Sequence, residues 1–359
     1  GVATKFPADL NTSMPGRADQ LTKLSGTVLI CTAMGNLMPS LGSMDDSDML
    51  SNVVALGILV VTVAANIGIQ LGTGVIYSFL PEHAVVMLLM VVLLVILVSS
   101  ALAVTTTKQL LEKQYDSKYL QASADEQGGE SDNKIYPLTK LKKDVKKYWL
   151  MAHTGSPQYV LGRSATCTAS GAFCLLAAGV LAEAMLRALV NGSHVRFCTG
   201  TSDYQWSTTV VLVAQAVAVL VGTIAPAYRW FNAVGNKGRS FSCRDEFKVE
   251  KYWVQTLNEW KEAPLPFQIS RRWRRKTAHY LKDSVMAVLM RLQKGVVLSS
   301  KLVRFASILL VSWLHKGASI LPVSWLHKGG RFRKLESSTS SSHDENVKLR
   351  DYVLYLEGE

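Results

Sequence analysis

Apolar and polar residues fall into blocks along this chain. The clearest block is Ala84 to Val104, twenty-one residues without a charge, dense in Val, Leu, Ile and Met. At about 1.5 Å per residue a helix of that length crosses a hydrocarbon layer about 30 Å thick. A surface helix of a soluble protein keeps one polar face, and this block has none. It therefore predicts a transmembrane helix. Asn52 to about Tyr77 predicts another, joined to Ala84–Val104 by the turn Pro81-Glu82-His83 as in an antiparallel hairpin. Ala165 to Val190 and Thr208 to about Phe231 predict two more. The last has Pro226 near its exit, with Arg229 and Trp230 as a headgroup anchor. Ser25 to Leu41 is the weakest candidate. It is about seventeen residues long and carries Asn36 and Pro39, so it reads as a span, a re-entrant segment or a short helix.

These blocks divide the chain into an N-terminal segment (1–24), a first transmembrane group of two or three spans (25–104) and a hydrophilic cytosolic loop (105–164). A transmembrane helix pair (165–231), a basic amphipathic C-terminal region (232–330) and a tail (331–359) follow. The predicted fold class is all-α: a polytopic helical membrane protein with four or five transmembrane helices and a basic helical cytosolic C-terminal region. Within the long loop, Gln121 to Asn133 is rich in Gly, Ser and acids, the composition of a disordered segment. Phe247 to Glu262 reads as a short amphipathic helix stopped by Pro264 and Pro266. The Ser-rich tail after Arg331 reads as disordered. A start at Gly1 rather than Met fits a fragment or a processed product. Ser307–Ala318 and Ser319–Gly330 are near-copies, a local duplication too short for a solenoid.

Charge adds an orientation. From Arg229 onward there are 24 Lys and Arg against 12 Asp and Glu, which accounts for the whole net charge of +12. The loop 105–164 holds ten Lys and Arg, whereas 191–207 holds only Arg196. The positive-inside bias places the long loop and the basic third in the cytosol and 191–207 outside. Counting back puts the N-terminus outside, against a mild dissent from Lys5, Arg17 and Lys23. Two candidate glycosylation sequons, Asn11 and Asn191, fall in segments this scheme places outside.

The basic third contains the run Arg271, Arg272, Arg274, Arg275 and Lys276, followed by Leu281 to about Leu310 with helical periodicity. There Arg291, Lys294, Lys301 and Arg304 share one side of a helical wheel, and Val285, Val288, Leu289, Leu292 and Val296 occupy much of the remainder. These nine cations are the candidate lipid- or partner-binding residues. A basic amphipathic helix suits the cytosolic interface of an anionic bilayer. Packing against the bundle fits the same pattern, whereas Lys301 and Arg304 count against a sixth span over Val296–Leu314. An unidentified protein partner is the other candidate ligand. No nucleic-acid module is present.

Inside the predicted spans, Glu183 and Arg187 lie one turn apart at the favourable spacing. They read as an ion pair that locks the helix to a neighbour, or as a site of ion or proton coupling. If the pair is structural, removing both charges is gentler than removing Arg187 alone. Thr62, Asn66 and Gln70 form one row beside Gly68-x-x-x-Gly72, and Gln215 lies near Ala214, Ala218 and Gly222. Small seams with amides fit close helix packing, or more sharply a solute path. Asp45, Asp46 and Asp48 read as a solvated turn, and His83 as a helix cap or interfacial residue. The five cysteines show neither disulfide nor zinc spacing. With no nucleophile elbow, phosphate loop, HExxH or paired carboxylates, no catalytic residue, cofactor or metal is expected.

Several segments together resemble a group of plant multi-pass membrane proteins of uncharacterised function. They are Met38-Pro39-Ser40-Leu41-Gly42, Thr73-Gly74-Val75-Ile76 with Glu82-His83, Ile224-Ala225-Pro226 leading to Arg229-Trp230-Phe231, and Glu246 to Trp253. The resemblance covers roughly Leu24 to Leu281. It implies a helical membrane fold and a plant source and carries over no activity. The expected function is a non-catalytic membrane scaffold or signalling component in the plasma membrane or an endomembrane. A transporter or channel subunit using Asn66, Gln70, Glu183, Arg187 and Gln215 is the alternative. The orientation has a direct test. In a background without native cysteines, a cysteine at Gly128 is expected to stay shielded from impermeant thiol reagents in intact cells, and one at Ser202 to label. The opposite pattern overturns the assignment.

Overall fold

The computed structural model describes residues 17–127, 157–190, 205–235, 249–250, 252–263 and 272–320, and all regular structure among them is helical. In chain order the helices are α1 (Arg17–Ser40), α2 (Asp46–Gly72), α3 (Leu80–Gln127), α4 (Pro157–Gly162), α5 (Ala165–Val190), α6 (Gln205–Gly235), α7 (Tyr252–Glu262) and α8 (Arg272–Ile320). Helices α2, α3, α5, α6 and α8 are long and apolar enough to cross a membrane, consistent with the all-α polytopic fold. The segments around Asn11, Asn191, Arg271 and Lys140–Lys147, the second copy of the duplication beyond Ile320 and the tail lie outside the described residues.

Helix α1 corrects the reading of Ser25–Leu41. It is one continuous helix that begins at Arg17 and neither turns back nor stops short. It is also the most enclosed element: Leu24, Val28, Cys31 and Met34 are fully buried, and α6, α3 and α5 pack around it. Its modest hydropathy follows from that position, because a helix covered by protein need not be apolar toward lipid.

The bundle alternates in direction. Thr22 meets Thr208 and Asn36 meets Gly222, so α1 and α6 run parallel. Gln70, at the end of α2, meets Lys23 near the start of α1, and Asp46, at the start of α2, meets Lys108 of α3. The end holding Arg17 is called outer here, following the loop charges. Helix α2 starts with Asp46 and Asp48 in its first turn, where carboxylates favour the helix dipole. It ends at a reversal through Gly74, whose φ of 73° lies in the left-handed region that glycine tolerates. Ser164 caps α5, its Oγ accepting the Cys167 N–H at 3.2 Å.

Helix α3 does not stop where its apolar run stops. It continues to Gln127, about 23 residues and roughly 35 Å past Val104. The first part of the 105–164 stretch is therefore helix rather than loop, including Gln121–Gln127, which composition marks as disordered. Helix α7 starts at Tyr252, five residues later than the periodicity predicts. It packs on α3 through Thr256, whose Oγ1 donates to the Leu102 carbonyl at 2.9 Å, while Trp253, Ala103 and Val297 join α7, α3 and α8.

Two prolines govern how α1 and α6 fit. A proline in a helix leaves the carbonyl four residues earlier without its usual N–H. Pro226 frees the Gly222 carbonyl, and Asn36 Nδ2 of α1 donates to it at 2.7 Å. Pro39 frees the Gly35 carbonyl, and Arg229 Nη2 of α6 donates to that one at 3.0 Å. Each helix thus repairs the break in the other. Arg229 is turned inward for this purpose, which corrects its assignment as a headgroup anchor. Glycines make the approach possible: a Cβ on Gly222 would meet Thr32 at 2.7 Å, and one on Gly171 of α5 would meet the Pro226 carbonyl at 2.7 Å. Gly68 and Gly72, by contrast, meet no neighbour, so the predicted small seam of α2 faces outward.

Candidate functional site: a polar ring at the outer end

Among the described residues, three of the four buried Asp, Glu, Lys and Arg side chains, Asp19, Lys23 and Glu82, lie where α1, α2, α3, α5 and α6 meet at the outer end. Helix α1 supplies Asp19, Gln20, Thr22 and Lys23, which are buried although α1 starts among them. Lys23 is fully buried, with Nζ donating to Gln70 Oε1. Thr208 Oγ1 of α6 donates to Asp19 Oδ1 at 3.1 Å. Gln20 Oε1 accepts the Ser78 N–H at 3.0 Å, holding the turn between α2 and α3. The Gln20 backbone carbonyl lies 3.1 Å from His83 Nε2, and since a carbonyl only accepts, that nitrogen carries the proton. His83 is therefore neither a helix cap nor an interfacial residue but a buried tie between α3 and α1.

Beside this ring, Arg187 joins two acids. Its Nε donates to Glu183 Oε1 at 3.0 Å, as the spacing predicts, and its Nη1 lies 2.6 Å from Glu82 Oε1 of α3. The two acids differ in setting: Glu183 is 53% exposed and Glu82 only 5%. The partner that matters is thus Glu82, which stands in what the sequence presents as a connecting turn. A groove of about 470 Å³ runs along the outside of α5 past Gly179, Ala182, Glu183 and Arg187.

The predicted polar residues distribute as follows. Gln70 belongs to the ring, and Asn66 is buried one turn deeper on α2. Thr62, on the same predicted row, is exposed and donates to its own helix at Ile58. Gln215 is buried on α6 about 10 Å deeper than Thr208, so it does not share the level of Gln70 or Arg187. Asp19, Gln20, Lys23 and Glu82 are the members that sequence reasoning missed. The signal for the first three is a helical phase running upstream of Ser25, with Asp19 and Lys23 one turn apart and interleaved with Leu21 and Leu24.

At the inner end, Asp46 pairs with Lys108 at 3.4 Å, as a solvated turn does. Among the described residues no group of three or more His, Cys, Asp or Glu is placed to hold a metal ion. Cys31, Cys167 and Cys174 are free thiols in the core. Of the basic candidates, Lys276, Arg291 and Lys294 are exposed and Arg304 is half-buried. Arg272, Arg274 and Arg275 fall in the first turn of α8. Lys301 is buried, its Nζ 2.6 Å from Glu250 Oε1, and this internal pair corrects its assignment to the lipid-facing side.

Comparison with protein-family models, known proteins and solved structures gives no match.

The arrangement joins five helices at one level, through Lys23 on Gln70, Thr208 on Asp19, His83 on Gln20 and Arg187 on Glu82. This changes the expectation for the Glu183–Arg187 pair, because removing both leaves the buried Glu82 carboxylate without a cation. Loss of one partner from a buried pair is strongly destabilising, whereas an exposed pair contributes little. Arg187→Leu is expected to lower the thermal midpoint of the purified protein by several degrees, and Glu183→Gln by about a degree or less. Adding Glu82→Gln to Arg187→Leu is expected to recover most of the loss, and adding Glu183→Gln little of it. Thermal unfolding in detergent checks this order, and the reverse order contradicts it.

Proposed function

We propose that the chain is a non-catalytic membrane scaffold or signalling component whose helix α8 fastens its inner side to an anionic bilayer surface. The observation that carries this reading is the level at which α8 is held. Gln293 Nε2 donates to the Ser99 carbonyl of α3 at 2.7 Å. Ser99 lies about 22 Å along α3 from Ala84, and so within about 8 Å of the inner limit of the apolar run at Val104. Interfacial helices seat their apolar faces about 5–10 Å into the boundary between headgroups and acyl chains. Before and around that point α8 exposes Lys276, Arg291 and Lys294, together with Leu281, Val285, Val288 and Leu292. Lys301 is buried and Arg304 half-buried, so among the described side chains the exposed Lys and Arg of α8 lie in its first half.

The transporter reading is weaker on this geometry. Gln70 is engaged by Lys23, Gln215 sits at a different depth, and the groove past Glu183 and Arg187 lies on the outer surface of a single helix. In the scaffold reading the polar residues hold the bundle and the basic helix meets the partner, which is the membrane face itself. Anionic leaflets attract such cations by about 1 kcal/mol per Lys or Arg near the surface.

The test uses the full-length protein in detergent, with lipid added stepwise. Anionic phospholipid is expected to raise the thermal midpoint more than phosphatidylcholine of the same chain length, and the excess to fade as salt rises. A Lys276→Gln/Arg291→Gln/Lys294→Gln variant is expected to lose most of the excess. Equal stabilisation by the two lipids at every salt concentration removes the proposal.

A further inference from the structure

Helix α8 carries a notch as well as a charged surface. Val288, Leu292, Gly295 and Ser299 follow one another at spacings of four, three and four, which places them in one row on a helix. With Arg291 and Val296 they line a shallow, open groove of about 460 Å³ on the face of this one helix. Gly295 forms its open middle, since a Cβ there meets no atom within 4 Å. The groove has one apolar wall, Val288, Leu292 and Val296, and a cation at its rim. Arg291 and Lys294 are exposed, and neither forms an ion pair among the described residues. Gln293, between them in sequence, ties this stretch to Ser99, about 8 Å along α3 from the inner limit of the apolar run.

We infer that this groove is a binding site for one diacyl anionic phospholipid, with an acyl chain along Val288, Leu292 and Gly295 and the phosphate at Arg291 and Lys294. The occupant follows from the pairing of the two features. An apolar strip without the cations would accept any lipid, and cations without the strip would accept any anion. Arg presents a planar fork that matches phosphate, so Arg291 is the specific contact and Lys294 adds charge. The site rests on the proposal that α8 meets an anionic surface and narrows it from diffuse attraction to a defined lipid.

Native mass spectrometry of the full-length protein, purified with phosphatidylglycerol and phosphatidylcholine of matched chains, reads the site. The wild type is expected to keep one phosphatidylglycerol through delipidation and to lose phosphatidylcholine. Gly295→Leu fills the notch where nothing packs and is expected to reduce that retention about tenfold without lowering the thermal midpoint. Arg291→Gln is expected to reduce it to a similar degree, and glycerol phosphate, which has no chains, is expected not to displace the lipid. Wild-type retention in Gly295→Leu overturns the groove. If the salt-sensitive preference for anionic lipid then persists, the broader surface proposal stands without it. Equal retention of the two lipids, or displacement by glycerol phosphate, overturns the diacyl anionic assignment.

Discussion

The exchange of hydrogen bonds between α1 and α6 is the constraint on which the bundle depends. A carbonyl left without a donor inside a membrane costs several kcal/mol, because lipid supplies no substitute for water. This chain creates two such carbonyls within its core, at Gly222 below Pro226 and at Gly35 below Pro39. It answers one with Asn36 and the other with Arg229, each from the opposite helix. Both bonds form only when α1 and α6 run parallel in a single register at close range. Gly222 permits that range against Thr32 of α1, and Gly171 lets α5 approach the Pro226 backbone from another side. The prolines thereby specify the pairing of the two helices instead of weakening it.

The same logic explains why α1 is enclosed. A helix that begins with Asp19, Gln20 and Lys23 and ends with Asn36 and Pro39 is a poor neighbour for lipid. Surrounded by α3, α5 and α6, it brings donors and acceptors to positions where the others lack them: Gln20 to the α2–α3 turn, Lys23 to Gln70, Asp19 to Thr208 and Asn36 to Gly222. The more apolar α2, α5 and α6 then turn broad faces outward, with Ile58, Leu186, Leu220 and Ile224 exposed. Helix α8 packs on α5, α7, α6 and α3, secured by Gln293 on Ser99 and by the Lys301–Glu250 pair.

What could be read in advance follows from which forces act locally. Helix α5 runs from Ala165 to Val190 as predicted, because an apolar run and a Ser cap are both local signals. The Glu183–Arg187 contact is likewise set by spacing alone. The errors lie where a partner distant in sequence decides the role of a side chain. Arg229 at the end of an apolar run looks like a headgroup anchor until the carbonyl freed by Pro39 is placed beside it. Lys23 looks like part of a polar leader until Gln70 is found across from it. Glu82 looks like a turn residue, and Lys301 like part of a basic stripe, until Arg187 and Glu250 supply their counter-charges. Helix α3 continues past Val104 for a different reason. Hydropathy reports where a helix leaves lipid and says nothing about where the helix ends.

The most direct measurement is a stability cycle on Asn36 and Pro226. Asn36→Leu strands the Gly222 carbonyl and is expected to destabilise the protein by about 1–3 kcal/mol in reversible unfolding in mild detergent. Pro226→Ala restores an N–H that can reach the same carbonyl within α6. If the proline creates the need that Asn36 meets, the double variant is expected to recover at least half of that loss. A double variant as unstable as the sum of its two single changes would contradict the account.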